Sequence, residues 1–456
     1  MSTASRILGA LFVVWLGAIL SIAQAVAPPA TPSKRAGGLE GEWQGTLDVG
    51  GAKLRLVLTL TKSAEGKITG TLDSLDQNKS IPISSIEQSG DEVKLELPAI
   101  GGSYTGKMSA GGMEMTGEWK QGRFSLPLVF KRKALASLIA WAPPVYAKTG
   151  SFHEREVTLG STPWQLPGTL TLPNGPGPFP AVVLVHGSGA NDRDETFGDE
   201  TIGPSKTFKD LAWGLAGQGI AVLRYDKRTL VHGSEMVQVA NLTVKEETVD
   251  DAQAAVDLLA AQREIQPKHV FVAGHSLGGY LGPRIAAGDA KVAGLILLAG
   301  NSRPMEELLV EQVRHQVELH GRITPEGQAQ IDQAEKEEAA IRNPDLKPGV
   351  TVKLFGVPIP SSYFLDLRNY RPAEMAATLH IPILVLQGER DNNVRMTDFD
   401  GWKKSLGNQP TASFKSYPPL NHLFVPASGP RDSPLLHHVP EEVLQDIAGW
   451  VKKNSR

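Results

Sequence analysis

Residues 271–280 read FVAGHSLGGY, and the fold turns on how that stretch is taken. Gly274-His275-Ser276-Leu277-Gly278 places a serine with a glycine two positions away on each side. It lies between the apolar run Val270 to Ala273 and a segment able to start a helix. A strand that turns abruptly into a helix strains the backbone of its corner residue and exposes that side chain. Flanking glycines remove the Cβ atoms that would clash there. The pattern therefore predicts a strand–Ser276–helix corner that lifts a hydroxyl into the open at a helix N-terminus.

Outward from the corner the same grammar repeats. Apolar runs at 181–185 (AVVLV), 220–224 (IAVLR), 292–299 (VAGLILLA) and 382–387 (PILVLQ) alternate with helical stretches. Such runs are apolar throughout, as strands covered on both faces must be. The stretch 243–262 predicts a helix, with Thr243 and Glu246 as a capping box and Val249, Ala252, Val256 and Leu259 as an apolar stripe. Strands alternating with helices imply a mostly parallel sheet with crossovers.

Reactive groups in such a sheet gather at the carboxyl ends of the strands. Ser276 follows the strand at 270–273, Asp391 follows 382–387 in GERDNNV, and His422 follows a last strand near 412–417 in PPLNHLF. A serine hydroxyl needs a base to take its proton, imidazole titrates near working pH, and a carboxylate fixes the imidazole tautomer. Asp366, Asp398 and Asp400 compete for the acid role, and His437 and His438 for the base. His186 and His275 read as structural neighbours of the loop and corner. The charge developing on an attacked carbonyl needs backbone donors. Leu277 supplies one N–H, and the loop HGSGAND supplies the second from Ser188, with Gly189 as the alternative. The run RYDKR (224–228) reads as a salt-bridged loop, with an anion site as the rival.

From about residue 150 to 456 the chain resembles the α/β-hydrolase family. HGSG, GHSLGG, GERD and NHLF match the oxyanion loop, nucleophile elbow, acid turn and histidine loop of that family. HGSGANDRDET and LRYDKR are similar to the dienelactone-hydrolase-like and serine-aminopeptidase-like esterase branch. The resemblance implies an α/β-hydrolase fold. It implies Ser276 as nucleophile, Asp391 as acid, His422 as base, and Ser188 and Leu277 as oxyanion donors. It also implies that residues 303–378, which interrupt the sheet with two amphipathic helices, form a lid. The expected activity is hydrolysis of short to medium carboxylic esters through an acyl-enzyme. Amide or peptide cleavage by the same machinery is the alternative, and an inert scaffold used for binding is a third. No cofactor is expected, and no metal, since the histidines lack H-x-x-x-H or H-E-x-x-H spacing.

Residues 39–132 speak differently. Period-two alternation, as in KLRLVLTLT, is broken by SAEG, QSGD and SAGG, which predicts a small antiparallel barrel or sandwich that is accessory to the catalytic part. GEWQG (41–45) and GEWKQG (117–122) echo one another, and Trp43 and Trp119 read as indoles of one core rather than a ligand platform. Residues 133–150 read as a linker, and 151–456 as the catalytic domain.

Arg6, the apolar run Ile7 to Ile22 and Ala23-Gln24-Ala25 form a signal-peptide pattern over 1–25, followed by a flexible leader over 26–38. Export to the periplasm or medium is thus expected, without stable membrane insertion after cleavage. A length of 456 residues suggests more than one domain. The net charge of -3 gives no reason to expect nucleic acid, and the absence of cysteine excludes disulfides and thiolate chemistry. A small-molecule ester is the expected partner.

Overall fold

The computed structural model describes residues 39, 41–49, 52–62, 68–74, 79–109, 112–122, 124–132, 141–197, 205–236, 238–239, 241–319, 321–427 and 438–456. The expected signal peptide and leader lie outside the described residues. Two compact units divide the chain, one within 39–132 and the other within 141–456.

The first unit is a single nine-stranded antiparallel sheet. Its strands are β1 (Gly41–Val49), β2 (Ala52–Lys62), β3 (Ile68–Ser74), β4 (Lys79–Pro82), β5 (Ser85–Ser89), β6 (Glu92–Leu97), β7 (Gly102–Met108), β8 (Glu114–Gln121) and β9 (Phe124–Arg132). They lie in the order β4-β3-β2-β1-β9-β8-β7-β6-β5. Only Ile83 and Ser84 separate the edge strands β4 and β5, far too short a link to cross an open sheet of that width. Their N–H groups donate to Gly70 of β3 and Glu96 of β6. The sheet therefore curls until its edges meet, as a barrel does. Alternation fills the interior with Leu56, Leu58 and Leu60 from β2 and Val93, Leu95 and Leu97 from β6. Trp43 and Trp119 are both buried in this core, and the Trp43 indole donates to the Leu39 carbonyl at 3.1 Å.

The second unit carries an eight-stranded sheet. Its first strands are β10 (Phe152–Leu159), β11 (Leu166–Pro173) and β12 (Phe179–Val185). A small pair, β13 (Thr196–Phe197) and β14 (Ser205–Lys206), stands apart from it. The sheet continues with β15 (Ala221–Tyr225), β16 (Ile265–His275) and β17 (Val292–Leu298). Strands β18 (Thr351–Leu354) and β19 (Val357–Pro360) form a separate hairpin. The last members are β20 (Ile383–Gly388) and β21 (Ala412–Tyr417).

The sheet order is β10-β11-β15-β12-β16-β17-β20-β21. Pairing is antiparallel through β10, β11 and β15, and parallel from β15 to β21. The longer helices of the unit are α1 (Thr207–Ala216), α2 (Asp250–Ala260), α3 (Leu277–Ala287), α4 (Met305–Glu318), α5 (Pro325–Arg342), α6 (Ser361–Leu367), α7 (Pro372–Ala377), α8 (Met396–Leu406) and α9 (Glu441–Lys453). Along β12, Val183 and Val185 pack with α2, α3 and α8, while Val182 and Leu184 pack with α1 and α9. Both faces are covered, so the strands are apolar throughout.

Three details differ from the sequence reading. Strands β10 and β11, which carry alternating polar residues, are not among the expected strands. Strand β10 exposes most of its length, and buried β11 turns the Thr169 and Thr171 hydroxyls to Glu156 and Glu154 of β10. The segment from Trp141, read as part of the linker, packs on the α/β unit. The Trp141 indole donates to Asp210 at 3.2 Å and meets the Trp213 ring at 5.2 Å. The helix expected over 243–262 opens with a wide turn, Lys245–Val249, before α2. Glu246 accepts from the Thr243 N–H at 2.9 Å, as the capping box requires, but the Thr243 hydroxyl accepts from Lys245.

Candidate active site

Strand β16 ends at His275 and α3 begins at Leu277, so Ser276 is the corner, with φ 53° and ψ −114°. Its N–H donates to the Leu298 carbonyl at the end of β17, at 2.9 Å. The flanking glycines are required by close approach. A Cβ on Gly274 would lie 2.1 Å from the Gly278 carbonyl oxygen, and one on Gly278 would lie 2.3 Å from the Val185 carbonyl oxygen. The corner is therefore wedged between its own helix and the end of β12.

Asp391 lies in the turn after β20 and is buried with every lone pair directed. Oδ1 accepts from the N–H groups of Asn393 (2.7 Å) and Val394 (2.9 Å). Oδ2 accepts from Gln387 Nε2 at 2.9 Å and bonds His422 Nδ1 at 2.7 Å. His422 sits in the loop after β21. Asn421 folds that loop by accepting from Leu423 (3.0 Å) and Val425 (3.3 Å), and Phe424 takes φ 57°. The His422 ring lies 4.8 Å, centroid to centroid, from the ring of His275, the residue preceding Ser276. Among the described residues the Ser276 hydroxyl makes no hydrogen bond. Catalytic contacts are often loose before substrate binds.

The competing residues are engaged elsewhere. Asp366 pairs with Arg284 through two bonds of 2.7 Å. Asp398 accepts from the Ser302 N–H and pairs with Arg303, and Asp400 is exposed. His438 bonds Asp210 at 3.0 Å, and His437 lies outside the described residues.

The loop after β12 faces the corner. A Cβ on Gly187 would lie 3.2 Å from Ser276 Cβ. Among the described residues the N–H groups of Ser188 and Leu277 donate to no other group. The loop itself is pinned from several sides. Asn191 Nδ2 donates to the carbonyls of Gly187 and Ser188, both at 3.1 Å. Thr229 donates to the carbonyl of Gly189, whose φ is 102°. Buried Lys227 donates to the Gly187 carbonyl at 2.8 Å and to Glu247 at 2.7 Å. The Tyr363 hydroxyl completes that carboxylate at 2.7 Å. Burial, then the Glu247 charge, pushes the Tyr363 hydroxyl well above its ordinary pKa, so it acts as a neutral donor.

RYDKR is ion-paired along its length. Arg224 bonds Glu154 and Asp194, Asp226 bonds Arg193, Lys227 bonds Glu247, and Arg228 bonds Asp251. The pairs leave the run structural.

Glu195, which the sequence reading did not single out, is buried beside His275 at 2.9 Å. Burial opposes charge on His275, but the Glu195 carboxylate outweighs it and raises the histidine above its ordinary value. Burial likewise opposes charge on Glu195, and His275 holds it below the usual carboxylate range. His186, fully buried, is pushed down to about 4, mainly by desolvation. A dense acidic–basic run, NDRDE (191–195), in the loop that follows an apolar strand is the available signal.

The insertion grips the acid turn. From α4, Gln312 donates to the Asn393 carbonyl at 2.8 Å and His315 meets Asn392 at 3.1 Å. A cavity of about 390 Å³ lies within the insertion, lined by Met305, Leu309, Ile341, Phe364 and Leu367 among others. Ser276, Asp391 and His422 do not line it. Among the described residues no group of three or more His, Asp or Glu side chains could hold a metal ion, and no helix is long and apolar enough to cross a membrane.

Residues 201–425 match the family described as serine aminopeptidase, S33. Over 314 residues the chain is 38% identical to Esterase EstD of Thermotoga maritima, spanning 68% of this chain and 70% of that one. Among solved structures, Est1E from Butyrivibrio proteoclasticus is similar at 16% identity and a TM-score of 0.42, covering 66% of this chain and 98% of that chain. A Pyrobaculum calidifontis esterase is similar at 18% identity and a TM-score of 0.43, covering 66% and 86% respectively.

Proposed function

Since the chain belongs to the α/β hydrolases of the serine-aminopeptidase (S33) type and is a carboxylic ester hydrolase, we propose that Ser276, Asp391 and His422 carry its chemistry. The observation that carries the assignment is the 2.7 Å bond from Asp391 to His422 Nδ1, on a ring packed against the residue next to Ser276. That bond fixes the proton on Nδ1 and leaves Nε2 as the base.

Ser276 Oγ attacks the ester carbonyl while its proton passes to Nε2. The N–H groups of Leu277 and Ser188 receive the oxyanion. The imidazolium then protonates the departing alcohol, leaving an acyl-enzyme. Water, deprotonated by the same nitrogen, releases the acid. Asp391 stays ionised and steadies the imidazolium. We further propose short to medium acyl esters as substrates, with residues 303–378 as a lid that selects them, and export directed by residues 1–25.

Purified protein and Ser276→Ala are compared on p-nitrophenyl esters of increasing chain length and on aminoacyl amides, with a fluorophosphonate label mapped by mass spectrometry. The expected outcome is an adduct on Ser276, loss of turnover in the variant, and preference for esters. Equal rates in the two proteins remove Ser276 from the mechanism, and a preference for amides replaces the ester substrate. N-terminal mass of the protein recovered from the host tests cleavage after Ala25.

A further inference from the structure

We propose that Glu195 and His275 form a buried, charged clasp that fixes the oxyanion loop and the catalytic base relative to one another. The proposal deepens the triad reading and rests on it. Both are positioning residues, since neither side chain needs to touch substrate.

The chemistry of the partners sets the protonation. His275 Nδ1 lies 2.9 Å from Glu195 Oε1, and Nε2 lies 2.9 Å from the His422 main-chain oxygen. A carbonyl and an ionised carboxylate only accept. With Glu195 ionised, both contacts are satisfied only when each ring nitrogen carries a proton, and the ring is then an imidazolium facing a carboxylate. A neutral ring would turn a lone pair toward an acceptor. The other charged and titratable groups around this pair are Asp391 and His422 on the His275 side, and His186 with Lys227 beyond Glu195. The raised His275 and lowered Glu195 agree with the charged pair.

The same Glu195 oxygen also accepts from the Gly187 N–H at 3.2 Å. One unbroken line therefore runs from the oxyanion loop, through Glu195 and the residue before Ser276, to the backbone of His422. It joins the loops that follow β12 and β21 to the end of β16.

Two independent features mark Glu195 as held there at a cost. Its φ is 51°, a left-handed conformation unfavourable for a residue with a Cβ. Its other oxygen, Oε2, is buried with no hydrogen-bond partner among the described residues. Asp192 enforces the turn. Its carbonyl accepts from the Glu195 N–H at 2.9 Å, and its carboxylate caps Thr196 at 2.8 and 2.7 Å. Ser276, Ala299 and Phe424, at the ends of β16 and β17 and beside His422, also have positive φ. Strain collects where these loops converge.

The first test uses the unaltered full chain with ¹⁵N-labelled histidine. The His275 signal is assigned by its absence in His275→Gln and read at pH 8. Protonation of both ring nitrogens is expected; a neutral tautomer overturns the clasp. This readout depends on neither turnover nor the folding of Glu195 variants. The second test is Glu195→Gln, which keeps an accepting oxygen but removes the charge. Its kcat on p-nitrophenyl acetate should fall about 30- to 100-fold with KM within about twofold, the signature of misplaced groups. Its His275 should become neutral. Retention of kcat within about twofold overturns the proposal. If Ser276→Ala hydrolyses as fast as the parent, the triad reading fails instead, and the His275 signal still decides the charge state of the clasp.

Discussion

Asp391→Asn should reduce kcat by about 10⁴ with little change in KM, the size of effect a wrong histidine tautomer has in Ser-His-Asp hydrolases. The substitution keeps shape and exchanges one oxygen for an NH₂ group, and the surroundings decide which one. Oδ1 accepts two backbone N–H groups, from Asn393 and Val394. Placing NH₂ there would leave both donors facing a donor, at about 1–3 kcal/mol each. The NH₂ group therefore goes to the Oδ2 position, where only Gln387 conflicts with it. Gln387 cannot turn away, because the same nitrogen donates to the Val394 carbonyl at 2.8 Å. His422 then meets a donor at Nδ1 and answers by carrying its proton on Nε2, the atom proposed to accept the Ser276 proton. A 10⁴-fold loss corresponds to about 5 kcal/mol of transition-state stabilisation. Steady-state hydrolysis of p-nitrophenyl acetate measures it, and fluorophosphonate labelling of Ser276 should slow in parallel. A variant that keeps a tenth or more of the parent kcat would refute the tautomer argument.

Lys227→Met should destabilise the α/β unit by about 3–5 kcal/mol, because Glu247 is left buried without its cation. Adding Glu247→Gln should recover part of the loss, and a thermal midpoint unchanged in the single variant would count against a buried bridge. Gly278→Ala should lose about 1–3 kcal/mol in denaturant titration together with most turnover, since its Cβ would meet the Val185 carbonyl at 2.3 Å and the His186 carbonyl at 2.8 Å. Wild-type turnover in that variant would mean the corner has room that the geometry denies. Acid should weaken the fold through His186. The unfolded chain takes up a proton there below about 6.5, whereas burial holds the folded residue near 4, so stability falls as pH drops through that window. The loss between pH 7 and pH 5 is about 2 kcal/mol, and thermal midpoints of the parent should fall more steeply than those of His186→Gln; equal slopes would contradict it.

What could be read from the chain follows the range of the interactions involved. The corner at Ser276 was legible because its steric demand is local: Gly274 must clear a carbonyl four residues on. Asp391 and His422 could be read as polar residues just past strand ends, and the structure places them there and in contact. That Asp398 and His438 are engaged elsewhere could not be read, since their partners, such as Asp210 for His438, lie up to 228 residues away. Glu195 stayed hidden for the same reason. Its partner His275 is 80 positions off, it belongs to no periodic segment, and nothing nearby announces a positive φ. RYDKR could be read as ion-paired, but not that Lys227 would brace the Gly187 carbonyl. Strand β10 escaped because the all-apolar pattern applies to strands covered on both faces and β10 is an exposed edge. Strand β11 is buried but carries Thr169 and Thr171, whose hydroxyls donate to Glu156 and Glu154 of β10.

The grip of α4 on the turn beside Asp391 bears on how this protein can be re-engineered. Gln312 and His315 come from the segment one would exchange to shift substrate range, yet they hold Asn393 and Asn392, and the Asn393 N–H is one of the two that orient the Asp391 carboxylate. If residues 303–378 select the substrate and Asp391 is the acid, as proposed, selectivity and turnover are not separate cassettes in this chain. On that proposal, a transplanted segment that lacks matching contacts for the asparagine pair should change preference together with a slower reaction.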